Sequence, residues 1–375
     1  MERRQFITRA GMAAAGAVVS SALPFDVQAQ TNAVPLAAFD NENAYSRFRP
    51  KNKAGFGGVA IGNGFQQNPD IECLQAVEAA WKAGIRYFDT SPWYGLGTSE
   101  RRLGMFLKDK PRDEFTLSTK MGRILEPKED FKLGGRSLWK GKLNFGYKYD
   151  YTAAGARKSV EDSLQRLGVS SLDVVFIHDL SPDNGDMKQD WIKYFEIAQK
   201  GAMPELTKMR EEGLIKGWGF GVNTIEPILK AIEVADPDIF LSACQYSLIK
   251  HEDDLNKVFP VAAKRDISIV VGAPLCAGFL SGKERYLYDG SFPDGVKEKL
   301  AALKRVATNH KVDLRTAALQ FSAAPDVVSA VIPGAHTVQQ SQENAASFAA
   351  KIPNDFWAEL KKEKLIAANA PVPKI

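Results

Sequence analysis

Short apolar runs alternate with amphipathic stretches along most of this chain, and this alternation constrains the fold more than any other feature. The strand-like runs are residues 57–61, 87–89, 115–119, 172–177, 217–222, 239–245, 267–273 and 327–332. Helical spacing of apolar residues appears between them, at 72–82, 153–166, 204–212, 226–234, 255–264 and 314–322. Strands that alternate with helices pair in parallel, and eight such units close into a barrel. The sequence therefore predicts a single-domain α/β fold of the (β/α)8 TIM-barrel type.

The first 29 residues differ in composition from the rest of the chain. A basic start is followed by a small, uncharged apolar run at 11–23 and by Val27-Gln-Ala29, which fits a signal-peptidase cleavage site. The Arg3-Arg4 pair resembles a twin-arginine (Tat) export signal. This resemblance implies that residues 1–29 are a signal peptide and that the mature domain, 30–375, is exported to the periplasm without a membrane span. The alternative is an N-terminus in which the two arginines have no targeting role.

Charge and cysteine content point to no macromolecular partner. The chain has 49 Lys and Arg against 45 Asp and Glu, and no basic block of the kind that binds nucleic acid. Its three cysteines are widely spaced, which favours neither a disulfide framework nor a zinc ribbon. We therefore expect a small-molecule substrate, no nucleic-acid partner and no bound metal.

Four polar residues fall at or just after the ends of predicted strands: Asp89, Tyr94, Lys120 and His178. Active sites of such barrels lie at the carboxyl ends of the strands, so these residues should converge. A lysine next to a tyrosine lowers the phenol pKa from about 10 and makes the tyrosine a useful proton donor or acceptor. An aspartate would hold that lysine, and a histidine could orient the substrate oxygen. Each residue alone could be structural, but their joint placement predicts an acid/base site.

Two long irregular stretches follow the third and fourth predicted strands, at 122–149 and 180–190. Loops of this length at a barrel mouth are often functional lids. The first stretch is rich in aromatic residues: Phe131, Trp139, Phe145, Tyr147 and Tyr149. We expect it to shape the substrate site, with a purely structural surface loop as the alternative.

Gly84-Ile-Arg-Tyr-Phe-Asp89-Thr-Ser-Pro-Trp-Tyr94-Gly resembles the first signature of the aldo-keto reductase family. Lys120 in Leu117-Ser-Thr-Lys-Met-Gly and His178 in Val175-Phe-Ile-His-Asp match the rest of that family's catalytic tetrad. The resemblance extends from about residue 55 to residue 344. It implies an enzyme that transfers a hydride between a nicotinamide cofactor and a carbonyl/alcohol pair, with Tyr94 as proton donor or acceptor.

The same resemblance assigns cofactor contacts. Asn223, in place of the usual serine, and Gln245 would hold the nicotinamide carboxamide, whereas Gly272 stands where many relatives carry a tyrosine that stacks on the nicotinamide ring. The other implied contacts, some of them around the pyrophosphate, are Pro274, Leu275, Gly278, Gly282, Gly334, Gln340, Glu343 and Asn344.

Relatives that prefer NADP carry a lysine and an arginine at the positions of Gly334 and Gln340, where they would pair with the 2′-phosphate. This chain has neither, so we expect NAD rather than NADP, with His336 as a weak substitute cation.

Several segments, at 94–104, 145–151, 163–168 and 175–179, are most similar to aldose 1-dehydrogenases and pyridoxal dehydrogenases. This similarity implies oxidation of an aldose hemiacetal to a lactone, with Tyr94 as base. Export would separate the enzyme from the cytoplasmic NAD pool. Either the cofactor stays bound and is recycled by a second substrate or an unknown redox partner, or the interpretation of the N-terminus is wrong.

Three alternatives remain for the function. The first is a reductase of another small aldehyde or ketone. The second is a non-catalytic, nicotinamide-binding regulatory barrel, against which the intact tetrad argues. The third is a metal-dependent sugar isomerase, but His178, His251, His310 and His336 form no cluster with carboxylates at strand ends.

Overall fold

Eight short parallel strands form a barrel in the computed structural model, which describes residues 46–133, 138–288 and 290–373. The barrel strands are β1 (Gly55–Gly57), β2 (Tyr87–Asp89), β3 (Thr116–Met121), β6 (Val174–His178), β7 (Gly217–Val222), β8 (Ile239–Ala243), β9 (Ser268–Gly272) and β10 (Val328–Ile332). The barrel closes between its first and last strands, where the Gly57 amide donates to the Pro333 carbonyl at 3.0 Å. The predicted (β/α)8 barrel is confirmed.

Helices surround the barrel on its outer face. They are α1 (Asp70–Lys82), α2 (Thr98–Leu107), α3 (Ala153–Leu167), α4 (Trp191–Lys200), α5 (Ala202–Glu211), α6 (Glu226–Val234), α7 (Phe259–Lys264), α8 (Val296–Asn309), α9 (Leu314–Ala323), α10 (Val338–Ala349) and α11 (Asn354–Lys362). Side-chain caps fix where several begin: Thr152 accepts from the Gly155 amide before α3, and Thr337 from the Gln340 amide before α10. No helix of the described residues is both long and apolar enough to cross a membrane.

Alternate residues of each strand point to opposite sides of the sheet, which divides the core in two. Phe176 and Val270 belong to a small cluster inside the barrel. Their neighbours Val175 and Val271 belong to a much larger cluster between strands and helices. Both layers are almost fully buried, so the barrel is a packed scaffold that leaves space only beyond the strand ends.

The structure differs from the sequence prediction at three places. The first strand is Gly55–Gly57 rather than 57–61, because Ala60–Gly62 forms a turn of 3-10 helix. The stretch 122–149, predicted to be irregular, contains an antiparallel hairpin of β4 (Arg123–Pro127) and β5 (Phe145–Tyr149). The helix predicted at 255–264 starts with a π-helical turn, Asp254–Val258, before α7.

The described chain begins at the end of the barrel where the strands start. Ser46 donates from its backbone amide to Asp266 Oδ2 at 2.5 Å, and Arg47 pairs with Asp236 at 2.5 Å. Both aspartates precede strands, β9 and β8 respectively. The predicted signal peptide, residues 1–29, lies outside the described residues and stays a prediction.

Candidate active site

A cavity of about 1100 Å³ opens at the carboxyl ends of the barrel strands. All four acid/base candidates line it: Asp89, Tyr94, Lys120 and His178. The sequence therefore predicted their convergence correctly. The cavity is larger than a pocket for one drug-sized molecule, so it has room for a dinucleotide together with a small substrate.

Asp89 and Lys120 form a buried ion pair at the floor of the cavity. Lys120 Nζ donates to the two carboxylate oxygens at 2.9 and 2.7 Å and to the Thr90 carbonyl at 2.8 Å. Ser118 Oγ donates to the same carboxylate at 2.7 Å. Burial raises the pKa of Asp89 and lowers the pKa of Lys120, and the attraction between the two charges opposes both shifts. With its hydrogen bonds satisfied, the pair holds the ammonium in a fixed place, as predicted.

Tyr94 lies directly above this pair, with Lys120 Nζ 4.6 Å from its ring centroid. Burial raises the pKa of Tyr94 well above its ordinary value, and the negative charge of Asp89 raises it further. The prediction that the pKa of Tyr94 lies below its ordinary value is therefore wrong. The reason is that burial of the phenol and the negative charge of Asp89 outweigh the lowering expected from Lys120. In this state Tyr94 is a neutral phenol, suited to donate a proton.

His178 faces Tyr94 at a ring-centroid distance of 5.9 Å. Its Nδ1 lies 3.1 Å from Ser91 Oγ, and its carbonyl accepts from the Tyr151 hydroxyl at 3.0 Å. Burial lowers the pKa of His178 well below its ordinary value, and the positive charges of Arg123 and Lys120 lower it further. The ring is therefore neutral and can orient a substrate oxygen by hydrogen bonding, as the sequence indicated.

Arg123 is a cavity residue that the sequence reasoning missed. It is 5% exposed, and its guanidinium lies 4.5 Å from the ring centroid of Trp93 and 5.0 Å from that of Tyr149. Its Nη1 donates to Asp179 Oδ2 at 2.8 Å. Asp179 directly follows a tetrad member, and Arg123 follows Lys120 by three positions. Arg123 and Asp179 have opposite charges and each lies within three positions of a strand-end residue, which is the sequence signal that could have predicted their ion pair.

Two of the five aromatic residues that the sequence analysis named in the stretch 122–149 line the cavity. Trp139 and Tyr147 line the cavity, and Trp139 lies 5.5 Å from the Tyr94 ring. Phe131 and Tyr149 pack against Tyr147 from behind, at 5.6 and 5.5 Å. Phe145 begins β5 outside the lining. The stretch thus forms a structured wall of the site.

Most of the implied cofactor contacts line the far part of the cavity. They are Asn223, Pro274, Leu275, Gly278, Gly334, Gln340, Glu343 and Asn344. Gln245 and Gly282 are not among the lining residues, and their cofactor contacts stay predictions. Gln245 instead donates to the Asn223 carbonyl and accepts from Lys250 Nζ at 2.8 Å, so it supports the Asn223 backbone. The Asn223 amide itself donates to Asp183 at 3.0 Å.

The loop after β9 is coiled through left-handed backbone conformations. Ala273, Cys276 and Ala277 have φ of 53°, 49° and 58°, and Gly278 has φ of 100°. A side chain at Gly278 would place its Cβ 2.8 Å from Lys283 Cγ. Non-glycine residues with positive φ are strained and cluster at functional sites. The loop brings backbone and small side chains to the cavity wall, and this suits the close approach of a pyrophosphate.

Three cations line the far part of the cavity, Lys283, Arg285 and Arg315. The expectation of NAD considered only the positions of Gly334 and Gln340, whereas the structure brings these three cations to the cavity from other positions. Arg315 forms an ion pair with Glu343, and Arg285 lies 3.5 Å from the Phe65 ring centroid. Burial and the nearby Lys283 lower the pKa of His336, which disfavours the cationic form expected for this histidine.

Tyr288 places an aromatic ring in the cavity, and no strand pattern predicted it. It stacks on Phe65 with ring centroids 6.4 Å apart and an interplanar angle of 10°. Burial raises the pKa of its phenol well above the ordinary value. Gly272, where many relatives carry a tyrosine, also lines the cavity but has no side chain. Tyr288, on a loop, therefore brings to the cavity an aromatic ring that the strand does not provide.

Within the described parts of the chain, no group of three or more His, Cys, Asp or Glu side chains is arranged to hold a metal ion.

Comparison with known proteins agrees with this geometry. Residues 53–364 match the profile of the Aldo/keto reductase family. The chain is 36% identical over 320 residues to D-threo-aldose 1-dehydrogenase of a Pseudomonas species, covering 83% of this chain and 94% of that protein. It is 31% identical over 329 residues to pyridoxal 4-dehydrogenase of Microbacterium luteolum, covering 84% and 94%. The structure of a glycerol dehydrogenase from Gluconobacter oxydans superimposes with a TM-score of 0.62 at 23% identity, covering 86% and 94%, which supports the fold.

Proposed function

The chain belongs to the aldo/keto reductase family and is an NAD(P)-dependent oxidoreductase, and we propose that it oxidises an aldose hemiacetal to the lactone with NAD. The observation that carries this proposal is the assembly of Tyr94, the Lys120–Asp89 pair and His178 on one cavity wall. The similarity to two dehydrogenases, one of them named for aldoses, supports the choice of substrate class. This part of the proposal rests on analogy between relatives.

Each residue has a defined task in this reaction. The bound nicotinamide would accept the hydride from C1 of the sugar. Tyr94 loses its own proton first and then, as phenolate, takes the proton of the anomeric hydroxyl, while His178 holds the same oxygen by a hydrogen bond. Lys120, held by Asp89, places its ammonium 4.6 Å from the centroid of the Tyr94 ring, where it stabilises the phenolate from which this proton transfer starts. Trp139 covers the ring and limits the access of water.

The wall beside His178 suits a polyhydroxylated substrate. Asp179, Asn184 and Asp186 line the cavity there, and Arg123 lies among them. Such a mixture of donors and acceptors can bind several hydroxyl groups at once. The flanking rings of Trp93 and Tyr147 offer flat apolar surface to the C–H face of a sugar.

Glu343 supports NAD as the cofactor. Its carboxylate lines the cavity and is paired with Arg315, so the arginine charge is already partnered. A carboxylate at this point accepts hydrogen bonds from ribose hydroxyls and repels a 2′-phosphate. Lys283 and Arg285 have the opposite effect, because their positive charges would attract a 2′-phosphate. The preference between NAD and NADP therefore depends on whether Glu343 or these two cations act more strongly on the cofactor.

The proposal is tested by assaying the purified protein with NAD and NADP in parallel across aldoses and pyridoxal. We expect turnover of an aldose with NAD, and its loss in Tyr94→Phe. Tyr246→Phe is the matched control, because Tyr246 is a buried tyrosine outside the cavity whose hydroxyl has no partner in the described structure. Unchanged activity in Tyr94→Phe would contradict the proposed chemistry.

The raised pKa of Tyr94 favours a second candidate, a reductase of a small aldehyde or ketone in which this phenol donates the proton. The two directions differ in pH dependence. A phenol of raised pKa is a base only after it loses its proton, so oxidation should accelerate as the pH rises. Reduction uses the protonated phenol and should not. Tight cofactor binding without turnover in either direction would instead indicate a regulatory barrel.

We also propose that the protein is exported through the twin-arginine pathway with its cofactor bound and recycled by a second substrate or redox partner. The Arg3-Arg4 pair and the apolar run after it support this proposal. Cell fractionation of the natural chain and of Arg3→Lys/Arg4→Lys tests it. We expect the first in the periplasm with nicotinamide detectable by mass spectrometry, and the second retained in the cytoplasm.

A further inference from the structure

The tautomer of His178 can be deduced from the atoms around its Nδ1. The Arg123 guanidinium faces Nδ1 with Nη1 at 3.5 Å, which is long for a hydrogen bond, but its positive charge and lack of any acceptor disfavour a proton on that nitrogen. Ser91 Oγ lies 3.1 Å away on the same nitrogen. Ser91 Oγ already accepts from the Trp93 amide at 3.1 Å, so its own proton is free to be donated. A cation and a hydroxyl with a free proton on the same side of the ring favour Nδ1 as the acceptor, without a proton.

The proton of the neutral ring must then sit on Nε2. The nearest charged acceptor to this atom is Asp179 Oδ1 at 3.5 Å, which is too long for an ordinary hydrogen bond. The other oxygen of Asp179 is taken by Arg123 Nη1 at 2.8 Å. The Nε2–H group therefore remains available to a molecule in the cavity that His178 lines.

We propose that Arg123 and Ser91 are positioning residues that hold His178 as its Nε2–H tautomer, so that the ring always presents a donor to the substrate oxygen. The meaning of this donor for catalysis rests on the proposed function. The tautomer itself is a property of the protein and can be measured without any substrate.

Electrostatics around the ring agree with this assignment. Burial opposes an imidazolium at His178, and so do the positive charges of Arg123 on β4 and Lys120 on β3. Asp179, 3.5 Å from Nε2, has the opposite effect. Tyr94 contributes only its neutral ring, and Asp89 is paired with Lys120. Arg123 therefore helps to keep the histidine neutral in two ways, as a cation near Nδ1 and as the partner of the Asp179 carboxylate.

The position of Arg123 is fixed by more than the ion pair. Its guanidinium lies between the rings of Trp93, Tyr147 and Tyr149, at 4.5, 5.5 and 5.0 Å from their centroids. Cation–π contacts to several rings hold a desolvated guanidinium in one orientation. By holding the Arg123 guanidinium in place, these aromatic rings help to fix the proton position on His178.

The test is ¹⁵N NMR of histidine in the full protein, with His178 assigned from His178→Gln. In the natural protein we expect Nδ1 without a proton and Nε2 with one from about pH 5 to about pH 9. In Arg123→Met the ring should titrate within that range, whereas Arg123→Lys should restore the neutral ring. Arg112→Met is the control, since it removes a part-buried ion pair with Asp173 that lies outside the cavity.

A second variant keeps the test decisive if Arg123→Met does not fold. Ser91→Ala removes a donor without removing a charge, and we expect the Nδ1–H tautomer to become visible beside the Nε2–H form. An unchanged Nε2–H ring in either variant that folds overturns the proposal for the residue that was replaced.

Kinetics with an accepted substrate provide the functional readout. In Arg123→Met, kcat/KM should fall about tenfold between about pH 8 and about pH 6 as the histidine gains a second proton, beyond the change seen in the natural protein and in Arg112→Met. A parallel pH profile would mean that Arg123 does not act through His178. If no aldose is oxidised, the proposed function fails, but the NMR result still decides the tautomer.

Discussion

The two ends of the cavity are built on different principles. At the catalytic end, Asp89, Lys120 and His178 project from strand ends, are at most 7% exposed and have fixed partners. At the far end, Lys283 and Gln339 are exposed and lie on a loop or a helix start. Charges in a dry, rigid site act strongly on a reaction, whereas exposed charges are screened by water and salt. The catalytic end should therefore determine which reaction is catalysed, and the far end should determine which cofactor is bound.

The largest effect is expected at the catalytic end. Lys120→Met should lower kcat by about a thousandfold or more, because the phenolate of Tyr94 loses the buried cation that lies 4.6 Å from its ring. It should also lower the free energy of unfolding by about 3–5 kcal/mol, since Asp89 is left buried and unpaired. Steady-state kinetics and denaturant unfolding measure the two losses separately.

The double variant Asp89→Asn/Lys120→Met separates stability from catalysis. Because it removes both charges, most of the lost stability should return while the activity stays absent. A double variant as unstable as Lys120→Met alone would mean that the ion pair is not the source of the destabilisation.

A buried acid outside the cavity shows that burial alone does not make a site. Burial raises the pKa of Asp254 to about 7, and neither carboxylate oxygen makes a hydrogen bond of normal geometry in the described structure. Because the folded pKa lies above the unfolded value of about 3.9, stability falls as the pH rises from about 4 to about 7. Asp254→Asn should therefore be equally stable near pH 4 and more stable, by a few kcal/mol, at pH 8.

Urea unfolding of both proteins at several pH values measures this difference. Activity at neutral pH should be unchanged, since Asp254 is not part of the cavity lining. A stability gap that is the same at all pH values would show that Asp254 is ionised in both states.

A moderate effect is expected at the far end. Glu343→Gln frees Arg315 and removes a negative charge from the wall, so the ratio of kcat/KM for NADP to that for NAD should rise about tenfold. The effect should shrink as salt is added, because both side chains are partly exposed. Arg315→Met/Glu343→Gln is the control and should show no gain for NADP; a gain there would exclude Arg315 as the phosphate partner.

The smallest effect is expected from the loop backbone. Gly278→Ala must accommodate a φ of 100° and a Cβ close to Lys283, a strain of about 1 kcal/mol or slightly more. We expect the KM for the cofactor to rise a few-fold with little change in kcat. Gly282→Ala is matched, with φ of 90°, but its Cβ meets open space outside the lining. Gly282→Ala should lower the melting temperature without weakening cofactor binding. Equal KM values for the cofactor in the two variants would contradict the assignment of Gly278 as a cofactor contact.

The sequence predicted the catalytic end well because strand ends are encoded by periodicity. Lys120 and His178 lie at or near the ends of apolar runs, so their convergence follows from barrel topology. The pKa of Tyr94 was predicted in the wrong direction, since the burial of a side chain on a loop cannot be read from spacing.

The far end was predicted less well for the same physical reason. Arg315 and Tyr288 reach the cavity from a helix and from a loop, where no alternating pattern indicates direction. The hairpin β4–β5 was missed because its two strands are separated by a long segment rather than by a short turn signal. Sequence periodicity thus predicts the strands and helices of the barrel, whereas the conformations of the loops, and the side chains that they bring to the cavity, become known only from the structure.

The ties of Ser46 and Arg47 to Asp266 and Asp236 have a practical consequence. They fasten the start of the described chain to the face of the barrel opposite the substrate entrance. A fusion partner joined directly ahead of residue 46 would therefore start from the side of the barrel remote from the substrate entrance, which makes this position a suitable junction for an affinity tag or a second enzyme.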